Sequence, residues 1–378
     1  MSYIALGKLI SKAKVEKCGP RSFPVLSMTM HDGIVFQNDR FKKDIASIDR
    51  SNYSVVNRNQ LVVSFPIDEG VLAVQDIADA GIVSPAYKIW DIDQSRVVPK
   101  YLEIWLRSPR SIEYYKSKLR GTTARRRSIP EDDFLTMPVL IPSYKVQLHA
   151  VDLINRVREI IHEREQQLSA LDNLIKARFV EMFGDPRTNP NGYEFEELRS
   201  SCSVITGNTP PRSVEEYYGD YIEWIKTDNI VSGRTNPTHA VECLSEEGMK
   251  VGRVVDEGAI LMACIAGSIA SIGRVCITDR RMAFNQQINA VIPKHYDVRF
   301  LLVMLQISKD YLVEEINMAL KGILSKSKLE DKVFYVPPME LQKQFAAFVT
   351  QIDKSKFAIQ QALNETQKLF DSLMQQYF

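Results

Sequence analysis

A stretch near the middle of this 378-residue chain is repeated, without a gap, at its far end. Pro142 aligns with Pro337 and Phe183 with Phe378, at a constant offset of 195. Identity is sparse. Besides those two pairs, Gln147/Gln342, Gln166/Gln361, Leu168/Leu363 and Leu174/Leu369 match. The apolar phase carries more weight. Steps of three and four mark Ile154, Val157, Ile161, Arg164, Leu168, Leu171, Ile175, Arg178 and Met182 in the first copy. The same phase marks Val349, Ile352, Lys356, Ile359, Leu363, Thr366, Phe370, Leu373 and Tyr377 in the second. That alternation is a heptad seam. It predicts two halves, each a mixed domain followed by one long amphipathic helix.

A helix of about 38 residues runs roughly 55 Å at 1.5 Å per residue. Such a helix cannot hide its apolar stripe inside a domain of ordinary size. Pairing of the two helices along their seams solves this, and an antiparallel pair closes a duplicated unit through a pseudo-two-fold axis. Packing of each helix on its own domain alone is the alternative. The expected fold is α+β: two similar mixed α/β domains separated by a two-helix antiparallel coiled coil. The expected boundaries are 1–141, 142–183, 184–336 and 337–378. Strands are predicted at 61–65, 81–92, 137–142, 258–267 and 288–293, and helices at 101–119 (interrupted near Pro109) and 298–318. VVNRNQLVVS (55–64) can be laid on VVDEGAILMA (254–263).

Composition narrows the function. No run of 18 apolar residues occurs, so no transmembrane helix is expected. The first residues show no signal-peptide pattern, and a cytoplasmic location is expected. Cys18, Cys202, Cys243, Cys264 and Cys276 lack CxxC spacing and read as reduced thiols. Neither they nor the five histidines have metal-ligand spacing, and no metal is expected. Residues 1–141 carry a net charge of +5 and residues 184–336 a net charge of −4. Nucleic-acid binding would therefore have to use local basic patches.

Several stretches resemble the specificity (S) subunit of type I restriction–modification enzymes. They are FPVLSMTMHDGIVFQNDRFKKDIASIDRSNYSVV (23–56) with GIVSPAYKIWDI (81–92), ITGNTPPRSVEEYYGDYIEWIKTDNI (205–230) with its G-x-T-P…Y-Y-G…W-I-K-T order, and LSALDNLIKARFVEMFGD (168–185). The resemblance covers essentially the whole chain. It implies two target recognition domains, each reading one half of a split DNA sequence, and a helix pair that sets their spacing. It further implies two adenine-methyltransferase (modification) subunits docked on this chain, with restriction subunits joining in the full complex. S-adenosylmethionine, ATP and magnesium would belong to those partners, and this chain would bind no cofactor. The specificity subunit of a combined methylase/nuclease system, or a coiled-coil protein scaffold, is the alternative.

The residues carry no catalytic signature. The adenine-methylation motif [DNS]PP[YF], GxxxxGK[ST] and GxGxxG are absent. Glu330-Asp331-Lys332 forms an E-x-K triplet with no evident upstream partner, and Cys264, Gly267 and Ser268 lack a nucleophile-elbow pattern.

DNA-contact candidates follow from donor chemistry. In RGTTARRR (120–127), Arg120, Arg125, Arg126 and Arg127 suit guanine or phosphate, with Gly121, Thr122 and Thr123 between them. A solvated loop paired with Glu131, Asp132 and Asp133 is the alternative. Lys321, Ser325, Lys326 and Lys328 stand at the corresponding place in the second half. Thr206, Asn208, Thr209, Arg212, Lys226, Thr227 and Asn229 offer short polar groups on turns, with Asx-turn and capping roles as the alternative. Asn285, Gln286 and Gln287 suit adenine. Ser84 and Tyr87 hold the corresponding stretch of the first half, where Tyr87 reads equally as core.

Overall fold

The computed structural model describes residues 2–30, 32–40, 50–119, 129–314, 316 and 322–378. The chain divides into two compact units: Met1–Glu163 with Leu363–Phe378, and Arg164–Ala362. Each unit therefore holds one half of each long helix.

The same sheet is built in each unit. In the first, a four-stranded antiparallel sheet runs in the order Ile10–Lys12, Lys88–Ile92, Leu61–Val63, Leu72–Val74. In the second the order is Cys202–Thr206, Ile288–Pro293, Ile260–Ala263, Val275–Ile277. Two smaller ladders repeat as well. Ser2–Ala5 pairs with Pro138–Ile141 as Glu194–Glu197 pairs with Val333–Val336. Ser54–Asn57 pairs with Ala80–Val83 as Val254–Val255 pairs with Met282–Phe284. The match of 55–64 to 254–263 is thus a match of equivalent strands.

The short helices also recur. Pro99–Leu106 and Pro109–Lys118 in the first unit correspond to Val298–Ile307 and Lys309–Val313 in the second. Pro109 lacks an N–H and opens the second helix of its pair, with Ser108 Oγ capping Ser111 N. The second unit breaks at Ser308 without any proline. The single helix expected over 298–318 is therefore two helices, and the break follows from the packing that both copies share.

The long helices span Tyr144–Phe183 and Met339–Tyr377, each starting two residues after its predicted start. Gly184 ends the first with φ +76°. A Cβ there would lie 2.1 Å from Pro190 Cγ, so only glycine fits. Every seam position is buried or half-buried: Ile154, Val157, Ile161, Arg164, Leu168, Leu171, Ile175, Arg178 and Met182, and equally Val349, Ile352, Lys356, Ile359, Leu363, Thr366, Phe370, Leu373 and Tyr377.

Within each unit the two helix halves run antiparallel. In the first unit the start of one helix meets the end of the other: Arg158 stands over the Phe370 ring and His149 packs edge-on to Tyr377. Phe378 closes the core by packing 5.0 Å from Tyr101, whose hydroxyl donates to Tyr377 O. In the second unit the end of the first helix meets the start of the second. Phe179 and Phe183 pack with Phe345 of the second helix and with Phe300 of the short helix. Burying rings of this size supplies about 2–3 kcal/mol each.

Two buried glutamines fix the short helices to the long ones. Gln147 Nε2 donates to Arg96 O and Pro142 O, and its Oε1 accepts from Val98 N at 2.8 Å. Gln342 Nε2 donates to His295 O and Pro337 O, and its Oε1 accepts from Asp297 N at 2.8 Å. Val98 and Asp297 are the N-cap residues of equivalent helices. The identity of this pair therefore has a structural cause, namely one buried amide that satisfies three backbone groups.

Candidate nucleic-acid interface

In the second unit the topology gathers stretches that lie far apart in sequence. Ile222–Ile225 pairs in parallel with Met282–Phe284 and antiparallel with Cys243–Leu244. Lys226–Asn229 thereby lies beside Asn285–Gln287, and Asn285 N donates to Ile225 O at 3.0 Å. The loop after Cys202–Thr206 joins them, since Gly207 N donates to Ile288 O and Asn208 N to Phe284 O. A Cβ on Gly207 would meet Asn285 O at 2.2 Å, so this close approach requires glycine. Ser325 enters from the same side: Leu324 N donates to Cys264 O, and Cys264 N to Gln287 O at 2.8 Å.

The side chains then separate into scaffold and surface. Asn208 Nδ2 donates to Val251 O while its Oδ1 accepts from Arg253 N. Asn229 Oδ1 accepts from Lys226 N, and its Nδ2 donates to Thr238 Oγ1 and His239 O. Asn285, at 5% exposure, accepts from Gln287 N and donates to Gln287 Oε1. Thr206 Oγ1 donates to Asn289 Oδ1. These three asparagines and Thr206 therefore hold the turns together, and Asn285 is buried within its turn. Ser325 caps the helix Lys326–Glu330 by accepting from Lys328 N, and Lys326 lies 3.6 Å from Glu330. Gln286 is exposed and accepts from Thr209 Oγ1, and Thr227 is half-buried.

Arg212 and Lys226 form the charged feature of this surface. The Arg212 guanidinium lies 4.5 Å from the Tyr218 ring and 5.1 Å from the Trp224 ring, and Lys226 Nζ lies 5.1 Å from Trp224. Rings of this kind favour a cation over their faces. Trp224 Nε1 donates to Asn208 O, which ties the platform to the loop. Both cations donate to one carboxylate: Arg212 Nη2 to Glu242 Oε2 at 2.6 Å and Lys226 Nζ to Glu242 Oε1. Hydrogen bonds from Lys226 and then Arg212 hold the Glu242 carboxyl below the usual range, and the bond to Glu242 raises Arg212.

In the first unit Ser84 caps a turn, with Ala86 N donating to its Oγ and Tyr87 N to its carbonyl. Tyr87 packs half-buried against the core around Val62 and Ile89. Lys88 pairs with Glu131 at 3.0 Å, and Lys118 lies 3.9 Å from Asp133. Arg120, Gly121, Thr122, Thr123, Arg125, Arg126 and Arg127, and Lys321 of the second unit, lie outside the described residues.

Residues weighed as catalytic have structural employment. Burial pushes the Cys264 thiol up to about 12, and its Sγ accepts from Asn289 Nδ2. His295 Nδ1 lies 2.7 Å from Glu196. Glu330 pairs with Lys326, Asp331 with Arg199, and Lys332 with Glu314.

Comparison with known proteins finds one family over part of the chain. Residues 190–367 match the type I restriction modification DNA specificity domain. The match covers 178 of the 378 residues, just under half of the chain. The specificity-domain match runs from the loop after Gly184 into the second long helix. Over 106 residues the chain is 31% identical to the type I restriction enzyme HindI specificity subunit of Haemophilus influenzae, covering 28% of this chain and 22% of that protein. The chain therefore matches less than a quarter of that relative's length. The fold is also that of a type I restriction-modification system S subunit from M. genitalium, with a TM-score of 0.61, 12% identity and coverage of 100% of this chain and 96% of that one. A chain from a study of complex assembly and conformational transition of the type I R-M system has a TM-score of 0.58 and 16% identity, covering 99% of this chain and 96% of that one.

Tyr218, Trp224 and Glu242 were not among the sequence candidates. The spacing of Trp224 and Lys226 in a strand would have placed both on one face. Nothing local marks Glu242.

Proposed function

We propose that this chain is the DNA sequence-specificity subunit of a type I restriction–modification complex. Residues 1–141 and 184–336 would each read one half of a bipartite target, and the helix pair would set the spacing and dock two adenine-methyltransferase subunits. In this reading the chain performs no bond-making chemistry. S-adenosylmethionine, ATP and magnesium act on partner subunits, restriction subunits join the full complex, and the assembly works in the cytoplasm.

One observation carries the reading. The specificity-domain family matches the second unit, and the first unit repeats that unit's strand order, helix break and buried glutamine. A second copy of a recognition fold calls for a second half-target. Methylome sequencing of the host with and without this chain tests it. The expected result is a split methylated motif that disappears with the chain. Replacing residues 1–141 by another recognition domain should change one half of that motif only. A motif that persists without the chain would refute the assignment.

A further inference from the structure

Trp224 lies in the strand Ile222–Ile225, and Lys226, one residue past its end and still extended, carries its Nζ over the Trp224 ring. Glu242 faces them across the ladder, where Trp224 N donates to its carbonyl at 3.1 Å. Arg212 reaches the same point from the loop that follows Thr206. Glu242 divides its two carboxylate oxygens between an ammonium and a guanidinium, and aromatic rings hold both cations. A phosphodiester presents the same chemistry, with two anionic oxygens on one centre, and arginine with lysine is a common phosphate clamp. The side chains of Arg212, Glu242 and Lys226 are 55%, 39% and 34% exposed, so the clamp is open to solvent.

We propose that Glu242 is an intramolecular stand-in for a DNA phosphate. In the free chain its carboxylate occupies the Arg212–Lys226 clamp, and on duplex binding a backbone phosphate displaces it. The proposal rests on the DNA-recognition reading and adds to it a built-in brake on binding through the DNA backbone. Displacement breaks two charge-assisted hydrogen bonds whatever the DNA sequence. The cost is common to every duplex and lowers all affinities by one factor, so contacts to the backbone alone hold DNA weakly while a target that also supplies base contacts stays bound. Glu242 thus lowers binding to non-target DNA, and the aromatic platform keeps both cations in place while the anion is exchanged.

The test uses the full chain assembled with its methyltransferase subunits, with binding to target and non-target duplexes measured over a range of salt. Glu242→Gln removes the carboxylate's charge and keeps its shape. The non-target affinity should rise about 3- to 10-fold at low salt, and log affinity should fall more steeply with log salt by up to about one unit. Target affinity should rise by the same factor, leaving the ratio of target to non-target affinity unchanged. Adding Arg212→Gln and Lys226→Gln should abolish the gain. Glu247→Gln makes the same charge change at the exposed Glu247–Lys250 pair, and should alter affinity less than about twofold. The proposal fails if Glu242→Gln leaves non-target affinity and salt dependence unchanged while the complex still binds DNA. It also fails if Glu247→Gln gives the same rise, which would make the effect one of net charge. If the parent complex binds neither duplex in a salt-dependent way, the DNA-recognition reading fails first and takes this proposal with it.

Discussion

Lys356 Nζ lies 2.6 Å from Asp172 Oδ1, one residue on each long helix. Lys356 occupies a seam position that is Ile161 in the other copy. Its side chain is 16% exposed and that of Asp172 is 40% exposed. A charged group in an apolar seam costs stability and fixes register, because another register would leave it without its partner.

The two ends of this pair should respond unequally to substitution. Asp172→Ala strands a largely buried ammonium and should cost about 1–2 kcal/mol. Lys356→Ile leaves a carboxylate that water can reach and installs the residue the repeat already uses, so its cost should stay below about 1 kcal/mol. Urea unfolding of both variants decides this, and a larger loss in Lys356→Ile would contradict it.

The glutamine clamps give a matched pair of measurements. Gln147→Ala leaves the buried Val98 N–H and two carbonyls without this partner, and Gln342→Ala does the same for the half-buried Asp297 N–H and two carbonyls. Each should cost about 2–4 kcal/mol, and the two costs should agree to about 1 kcal/mol. Hydrogen exchange should quicken at 98–106 in the first variant and at 297–307 in the second. Unequal losses would show that the repeated geometry hides different energetics.

Removal of residues 363–378 should damage the first unit. Phe378 packs on Tyr101, and Phe370, Leu373, Met374 and Tyr377 lie against the same core. The milder Phe378→Ala should cost about 3–5 kcal/mol. Hydrogen exchange over 99–118 should rise, while 298–313 should stay protected, because Phe183 closes that core instead.

Acid should release part of the second unit's stability. Burial raises the Glu223 carboxyl, but hydrogen bonds from Arg280, Ala240 N and His239 outweigh it and leave the pKa below its usual value of 4.5. The folded pKa lies below the unfolded one. The contribution is therefore complete above the unfolded pKa and is lost as pH falls through the folded one. Glu223→Gln should lower the melting temperature near neutral pH and flatten its decline below about pH 4.5. A parallel decline in parent and variant would rule out Glu223 as a source of the acid limb.

Much of this architecture was legible in the apolar phase. The seam from Ile154 to Met182 and its copy gave two long helices, because a stripe of that length needs a partner. The phase alone does not say which helix end closes which core. That choice is made by Phe183 against Phe300 and Phe378 against Tyr101, contacts between residues more than a hundred positions apart. The break at Ser308 was hidden because no proline marks it, whereas Pro109 marked its counterpart. At the interface, Arg212 and Lys226 were legible as exposed cations on turns. Asn208, Asn229 and Asn285 were ambiguous between base reading and turn formation, since one amide serves either, and each amide has backbone partners in the turns. Glu242 became visible only through the pairing of the strand that follows it.

The division of the chain into Arg164–Ala362 and a unit that joins Met1–Glu163 to Leu363–Phe378 sets an order during synthesis. The ribosome delivers the opening stretch first, yet that stretch must wait, its aromatic core unsealed, until residues 363–378 emerge. The continuous unit has all its parts earlier. The half that is translated first is the half that is finished last, and a chaperone would be needed most during that delay.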